Sequence, residues 1–203
     1  MLDALVVSNG IQGLKQAFRS DGTVRYRFAD VRHGFDPDLE GCDLLVVPNG
    51  SDHVAMLRIA GNVRSFLDAG RALFCFDGWF TSWVPGNQWV MDNTKATKDV
   101  LYRVRTDRHA LMQGVDVNTL IFTHGISGWW ACGFIEQAPG ADVVLEDTWH
   151  RPVVVLDEST TPGTMFLTAS GPLPGFGDGP EDDLSRLLRN ALRHVERRKE
   201  TRS

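Results

Sequence analysis

The stretch that most constrains this chain is residues 70–83, Gly-Arg-Ala-Leu-Phe-Cys-Phe-Asp-Gly-Trp-Phe-Thr-Ser-Trp. Five apolar residues in a row, Ala72, Leu73, Phe74, Cys75 and Phe76, run directly into Asp77-Gly78-Trp79. A run without polar alternation suits a strand covered on both faces, the habit of parallel sheets in α/β proteins. When such a strand stops at a polar residue and a glycine, it delivers one side chain to the C-terminal edge of the sheet, where ligands bind. Asp77 is that side chain. It can act as a general base or acid, or anchor a ligand hydroxyl. It can equally accept N–H bonds from the turn that follows, as aspartate before glycine commonly does.

The surrounding pattern extends this reading. Residues 2–7 form a first apolar strand, Ser8-Asn9-Gly10 a turn, and a short helix runs to about Arg19. Residues 24–28 alternate with period two, and residues 44–47 make a third strand stopped by Pro48-Asn49-Gly50. Ile59, Val63, Phe66 and Leu67 mark one face of a helix, and Gly70 stands where a C′ glycine belongs. Strands alternating with helices predict right-handed crossovers. The expected fold is α/β and flavodoxin-like: a doubly wound, mostly parallel sheet with helices on both faces.

The second half departs from strict alternation. Residues 83–98, with Pro85-Gly86-Asn87, read as a long, partly irregular excursion over the sheet edge. Residues 100–104 read as a strand, 143–145 with 153–156 as a hairpin-like pair, and 164–168 as another buried strand. After a glycine-proline loop at 171–179, Pro180 opens a last helix with Leu184, Leu187, Leu188, Ala191, Leu192 and Val195 on one face. At 203 residues, the whole of 1–203 is expected to be one domain.

Four places carry a resemblance to a known group. They are residues 42–50 (Cys-Asp-Leu-Leu-Val-Val-Pro-Asn-Gly), 66–73 (Phe-Leu-Asp-Ala-Gly-Arg-Ala-Leu), 107–115 (Asp-Arg-His-Ala-Leu-Met-Gln-Gly-Val), and 163–168 followed by the terminal helix around 187–192. The chain resembles the ThuA-like (trehalose utilisation) branch of the class I glutamine amidotransferase-like superfamily; the third segment is similar to that family's His-Pro-Ile-x-x-Gly. The resemblance implies a role in sugar metabolism, on a carbohydrate-like ligand such as an oxidised glycoside. It also implies that Asn49-Gly50 stands where the superfamily's oxyanion-hole loop sits. The chain departs from the group at two positions. ThuA-like proteins commonly carry histidines after the fourth strand, where this chain has Phe76, Asp77, Gly78 and Trp79. They often carry Gly-His near the end of the last core strand, where this chain reads Gly171-Pro172. In the superfamily's glutaminases the turn holds the nucleophilic cysteine. With Asp77 there and Cys75 two residues earlier, glutaminase activity is not expected.

The candidate site therefore comprises Asp77, with His124 or His53 as its catalytic partner. Asn49, Gly50, Asp52, Gly78, Trp79 and Trp129 are the ligand-binding candidates. Asp52 and His53 follow the third-strand turn, though either could simply serve the N-terminus of the next helix. His124 sits in Thr123-His124-Gly125, just ahead of Trp129-Trp130. The six tryptophans have two readings. They wall a cleft suited to stacking on sugar rings or flat heterocycles, or they plug a disused site or form a protein interface. The second reading makes the chain a non-catalytic subunit, with a protein partner or a second copy of itself.

Other classes are excluded on simpler grounds. A net charge of -5 and a pI near 5.6 argue against a nucleic-acid surface. The basic cluster at 193–202 suits the C-terminal end of a helix. Cys42, Cys75 and Cys132 show no CxxC spacing, as in a cytoplasmic protein with reduced thiols. There is no basic, apolar leader and no long apolar stretch, so neither a signal peptide nor a membrane span is expected. No GxGxxG or P-loop lysine follows the first strand, so no cofactor is expected. The six histidines lack HExxH or any close ligand spacing, so no metal site is expected either.

Overall fold

In the computed structural model, which describes residues 1–8, 10, 13–121, 129–171 and 182–202, the apolar runs pair as a parallel core. The first half contains β1 (Leu2–Ser8), α1 (Leu14–Ala17), β2 (Val24–Asp30), β3 (Leu44–Val47), α2 (His53–Arg58), α3 (Ala60–Asp68) and β4 (Ala72–Phe76). The second contains β5 (Gln88–Met91), β6 (Tyr102–Val104), β7 (Gly133–Glu136), β8 (Asp142–Asp147), β9 (Pro152–Asp157), β10 (Thr164–Thr168) and α4 (Asp183–Arg202). Eight strands make the main sheet, in the order β2-β1-β3-β4-β10-β9-β8-β6. Pairing is parallel from β2 to β10, and antiparallel from β10 through β9 and β8 to β6.

Burial explains which runs became central. Every residue of β3, β4 and β10 is buried, so these strands need covering on both sides. Phe74 of β4 meets Phe166 of β10 at 5.1 Å between ring centroids, and Phe76 stacks on Phe18 at 6.4 Å. The order reverses direction at β1. Ligand crevices form beside such a reversal. No helix among the described residues is long and apolar enough to cross a membrane.

Three expectations change. The 83–98 excursion contains a regular strand, β5, which pairs antiparallel with β7 in a separate two-stranded sheet. Gly133 permits this pairing, since a Cβ there would lie 2.1 Å from the Val90 carbonyl oxygen. The single helix read across Ile59 breaks there into α2 and α3, with Ile59 at φ −97° and ψ 11°. The hairpin-like pair is real, and its strands continue into an antiparallel edge rather than another crossover. Pro180 and the loop at 172–179 lie outside the described residues.

The junction below β10 is tight. A Cβ on Gly163 would meet the Arg71 oxygen at 2.4 Å and the Leu67 oxygen at 2.8 Å. Both obstacles are backbone, so neither can swing aside. Gly163→Ala is expected to lose about 2–3 kcal/mol, measured by urea unfolding; an unchanged midpoint would mean that the α3–β4 junction yields freely.

Candidate functional site

Asp77 leaves β4 at the C-terminal edge and remains tied to the sheet, its N–H donating to the Thr168 oxygen at 2.8 Å. It adopts φ +40° and Gly78 φ +70°, so two successive left-handed residues turn the chain sharply. Aspartate tolerates this region better than most residues. The carboxyl is half-buried, and its Oδ1 is shut off from solvent with no hydrogen-bond partner among the described residues. Burial pushes its pKa up to about 6, while an N–H bond from Gly78 pulls the other way. A carboxyl poised there can give or take a proton close to neutrality.

The neighbouring thiols are not activated. Cys75 is buried, and burial, followed by the charge of Asp77, raises its thiol well above the ordinary 9.0. Cys132 is exposed and also within electrostatic reach of Asp77; its own desolvation and then that charge push its thiol up. Burial thus holds both thiols in the protonated form rather than favouring the thiolate. That Cys132 approaches Asp77 had no trace in the sequence, because the two are joined only through the placement of β7.

Asn49 follows β3, beside β4. Its side chain lies hard against Gly171 past β10, where a Cβ would sit 2.7 Å from Nδ2. Asn49, Asp77 and Gly171 thus stand on three adjacent strand ends. Gly50 is exposed at φ +72°. Asp52 is exposed and engaged as the N-cap of α2, accepting the Ala55 N–H at 2.9 Å. His53 begins that helix, and its ring meets Phe80 edge-on at 5.0 Å between centroids. Its carbonyl accepts from the Thr81 hydroxyl. Burial lowers the His53 pKa against the opposing charge of Asp52, leaving a neutral imidazole near pH 7. His124 lies outside the described residues.

The tryptophans sit differently from the open aromatic walls the sequence allowed. Trp79 is 1% exposed and Trp129 3%, so neither offers an open face. Trp83 and Trp89 are buried as well, because residues 83–91 join the main core through them and Val84. Trp129 lies against Tyr102 at 5.4 Å, and the Tyr102 hydroxyl donates to the Trp129 oxygen. The indole N–H groups of Trp79, Trp83, Trp89 and Trp129 are all buried without partners among the described residues. The large apolar groups that do reach solvent nearby are Val54 and Leu57 on α2, and Phe80.

A second cluster stands at the other end of the strands. Asp157 pairs with Met165 near the start of β10, whereas Asp77 follows the Phe76–Thr168 pair at its end. There His109, Glu158 and His194 converge, one ligand atom of each lying within 4.8 Å of the others. They come from a loop, a strand end and α4, so a search for local ligand spacing misses them.

No protein-family model matches the chain, and no curated protein matches it by sequence. Solved structures do share its architecture. The cytoplasmic protein STM1381 from Salmonella typhimurium LT2 is similar with a TM-score of 0.60 and 12% identity, over 96% of this chain and 99% of that one. A β-galactosidase from Rahnella sp. R3 gives 0.54 and 13% identity, over 95% of this chain and 31% of its own. The β-galactosidase from Bacillus circulans sp. alkalophilus gives 0.54 and 14%, over 97% and 31%. At these identities the likeness establishes the fold alone. The chain spans less than a third of either β-galactosidase.

Proposed function

We propose that the strand ends around Asp77 bind a small, hydroxyl-rich, carbohydrate-like molecule, with Asp77 accepting a ligand hydroxyl and exchanging a proton with it. The observation that carries this reading is the buried, unpartnered Oδ1 of Asp77. An orphaned acceptor costs about 1–3 kcal/mol, a cost that a ligand hydroxyl would remove on reaching Oδ1 through a local opening of the turn. Asn49 and the N–H groups near Gly50 and Gly78 would oppose developing negative charge. His53 or His124 would serve as the second proton carrier, and Trp79 and Trp129 would support the site from behind rather than stack on the ligand. The ligand class follows from the resemblance to ThuA-like proteins. Membership of that branch, and its sugar chemistry, belong to this proposal.

A second reading makes the chain an interaction module. It is favoured by Val54, Leu57 and Phe80, 56%, 47% and 57% exposed, rather than by the buried tryptophans. One experiment separates the two: tryptophan fluorescence of wild type and Asp77→Ala, titrated with sugars, oxidised sugars, nucleosides and amino acids. A saturable change from one sugar class, abolished in Asp77→Ala with an unaltered melting curve, is the expected result. A response that survives the substitution, or no response to any class, overturns the site and turns attention to α2.

A further inference from the structure

We propose that His109, Glu158 and His194 form a binding site for a divalent first-row transition metal ion, with Zn²⁺ as its natural probe. The site is separate from the Asp77 turn, at the opposite end of the strands, and does not depend on the reading given for that turn.

Two imidazoles and a carboxylate are a donor set that such ions take readily, with a fourth position left for water or another ligand. His194 Nε2 lies 2.9 Å from Glu158 Oε1, and one donor atom of His109 lies within 4.8 Å of both partners. Donors around a tetrahedral zinc stand about 3.3 Å apart, given bonds of about 2.0–2.1 Å. His109 therefore has to close in by up to about 1.5 Å, which a half-buried side chain on a loop can do. An ion between His194 and Glu158 would replace the proton they share, so neither is left unpartnered.

The surroundings orient these groups. His109 Nε2 lies 3.3 Å from Asp142 Oδ2. When it donates there, the lone pair falls on the other ring nitrogen, the arrangement of a carboxylate–histidine–metal relay. Thr164 donates to Glu158 Oε1 at 2.8 Å. The two imidazoles pack edge to face with centroids 4.7 Å apart. Asn190, one turn before His194 on α4, donates to the Leu111 and Gln113 oxygens at 2.8 and 2.9 Å. That clamp fixes the His109 loop against the helix that supplies His194, which is the rigidity a ligand set needs.

Cations oppose the ion: Arg202 is within electrostatic reach of Glu158, Arg108 pairs with Asp142 at 3.3 Å, and Arg198 is the most direct. Arg198 lies 3.1 Å from Glu158 Oε1, and its Nε is buried with no hydrogen bond of good geometry. Its guanidinium offsets the carboxylate charge, and its side chain, 38% exposed, has solvent to withdraw into. Arg198 is thus a competitor for Glu158, and removing it should help the metal.

The test is calorimetric titration of the chelator-stripped full chain with Zn²⁺. Wild type should bind one ion per chain, with a rise in melting temperature. His109→Ala and Glu158→Gln should each weaken binding at least tenfold, and Asp142→Asn about tenfold through the outer shell. Arg198→Gln should tighten it severalfold, and the surface control His33→Ala should change nothing. His194→Ala is avoided because it hollows the core; His109→Ala should melt like wild type when metal-free. The proposal is overturned if wild type takes up no zinc, if His109→Ala and Glu158→Gln bind it as wild type does, or if Arg198→Gln weakens binding.

Discussion

Asp77→Asn is expected to make the protein more stable at pH 8, by up to about 3 kcal/mol, and to change little at pH 4. The folded-state pKa is about 6 against an ordinary 3.8, a gap corresponding to about 3 kcal/mol. Because the shift is upward, the folded chain binds more protons than the unfolded chain between those values. Stability therefore falls as pH rises through that window, and the full cost is present above it. Asparagine tolerates the left-handed backbone as aspartate does and can keep the bond from Gly78, so charge is the main thing removed. Urea unfolding at the two pH values decides the matter: equal effects at both would show that the carboxylate is not destabilised by burial. A gain of stability coupled to a loss of ligand response would mark Asp77 as a residue held for function at the expense of the fold.

Phe76→Ala is expected to cost about 3–5 kcal/mol. Phe76 is fully buried on β4, stacked on Phe18, and it immediately precedes Asp77. For a chain of this size the melting temperature should drop by about 10 °C. Thermal unfolding followed by circular dichroism measures this directly. A loss below about 1 kcal/mol would contradict the packing described between β4 and α1. Phe76→Leu keeps most of the volume and should lose far less, which separates cavity formation from any special role of the ring.

Much of this architecture was readable before any coordinates. β1, β3, β4 and β10 announce themselves as short apolar runs cut off by turn residues, because strands buried on both faces leave no room for alternation. β8 and β9 are legible for the same reason. β5 is not: Gln88, Trp89, Val90 and Met91 carry no strong pattern, and the partner strand lies more than forty residues on. The helix break at Ile59 was hidden because Ile59, Val63, Phe66 and Leu67 stay on one apolar stripe across it. Among the candidate residues, Asp77 is singled out by its place after a strand, which is a local signal. Trp79 and Trp129 admit both a cleft-wall and a plug reading, because a tryptophan in a loop does not reveal which side of the sheet end it fills. The approach of Cys132 to Asp77, and of His109 to Glu158 and His194, exists only once distant segments are folded together.

The position of β10 has a consequence for how the protein is made. Among the described residues it is the one strand that pairs with both β4 of the parallel half and β9 of the antiparallel half. Until it is synthesised, β4 presents an unpaired, wholly apolar edge, a ready template for another chain's strand. The sheet then closes by placing a late strand against β4, a slow step because the β4–β10 pairs are remote in sequence, although β10 forms a local hairpin with β9. During that interval the nascent chain is at its most vulnerable to misassembly, and a chaperone that shields β4 would act earlier in the protein's life than any ligand could.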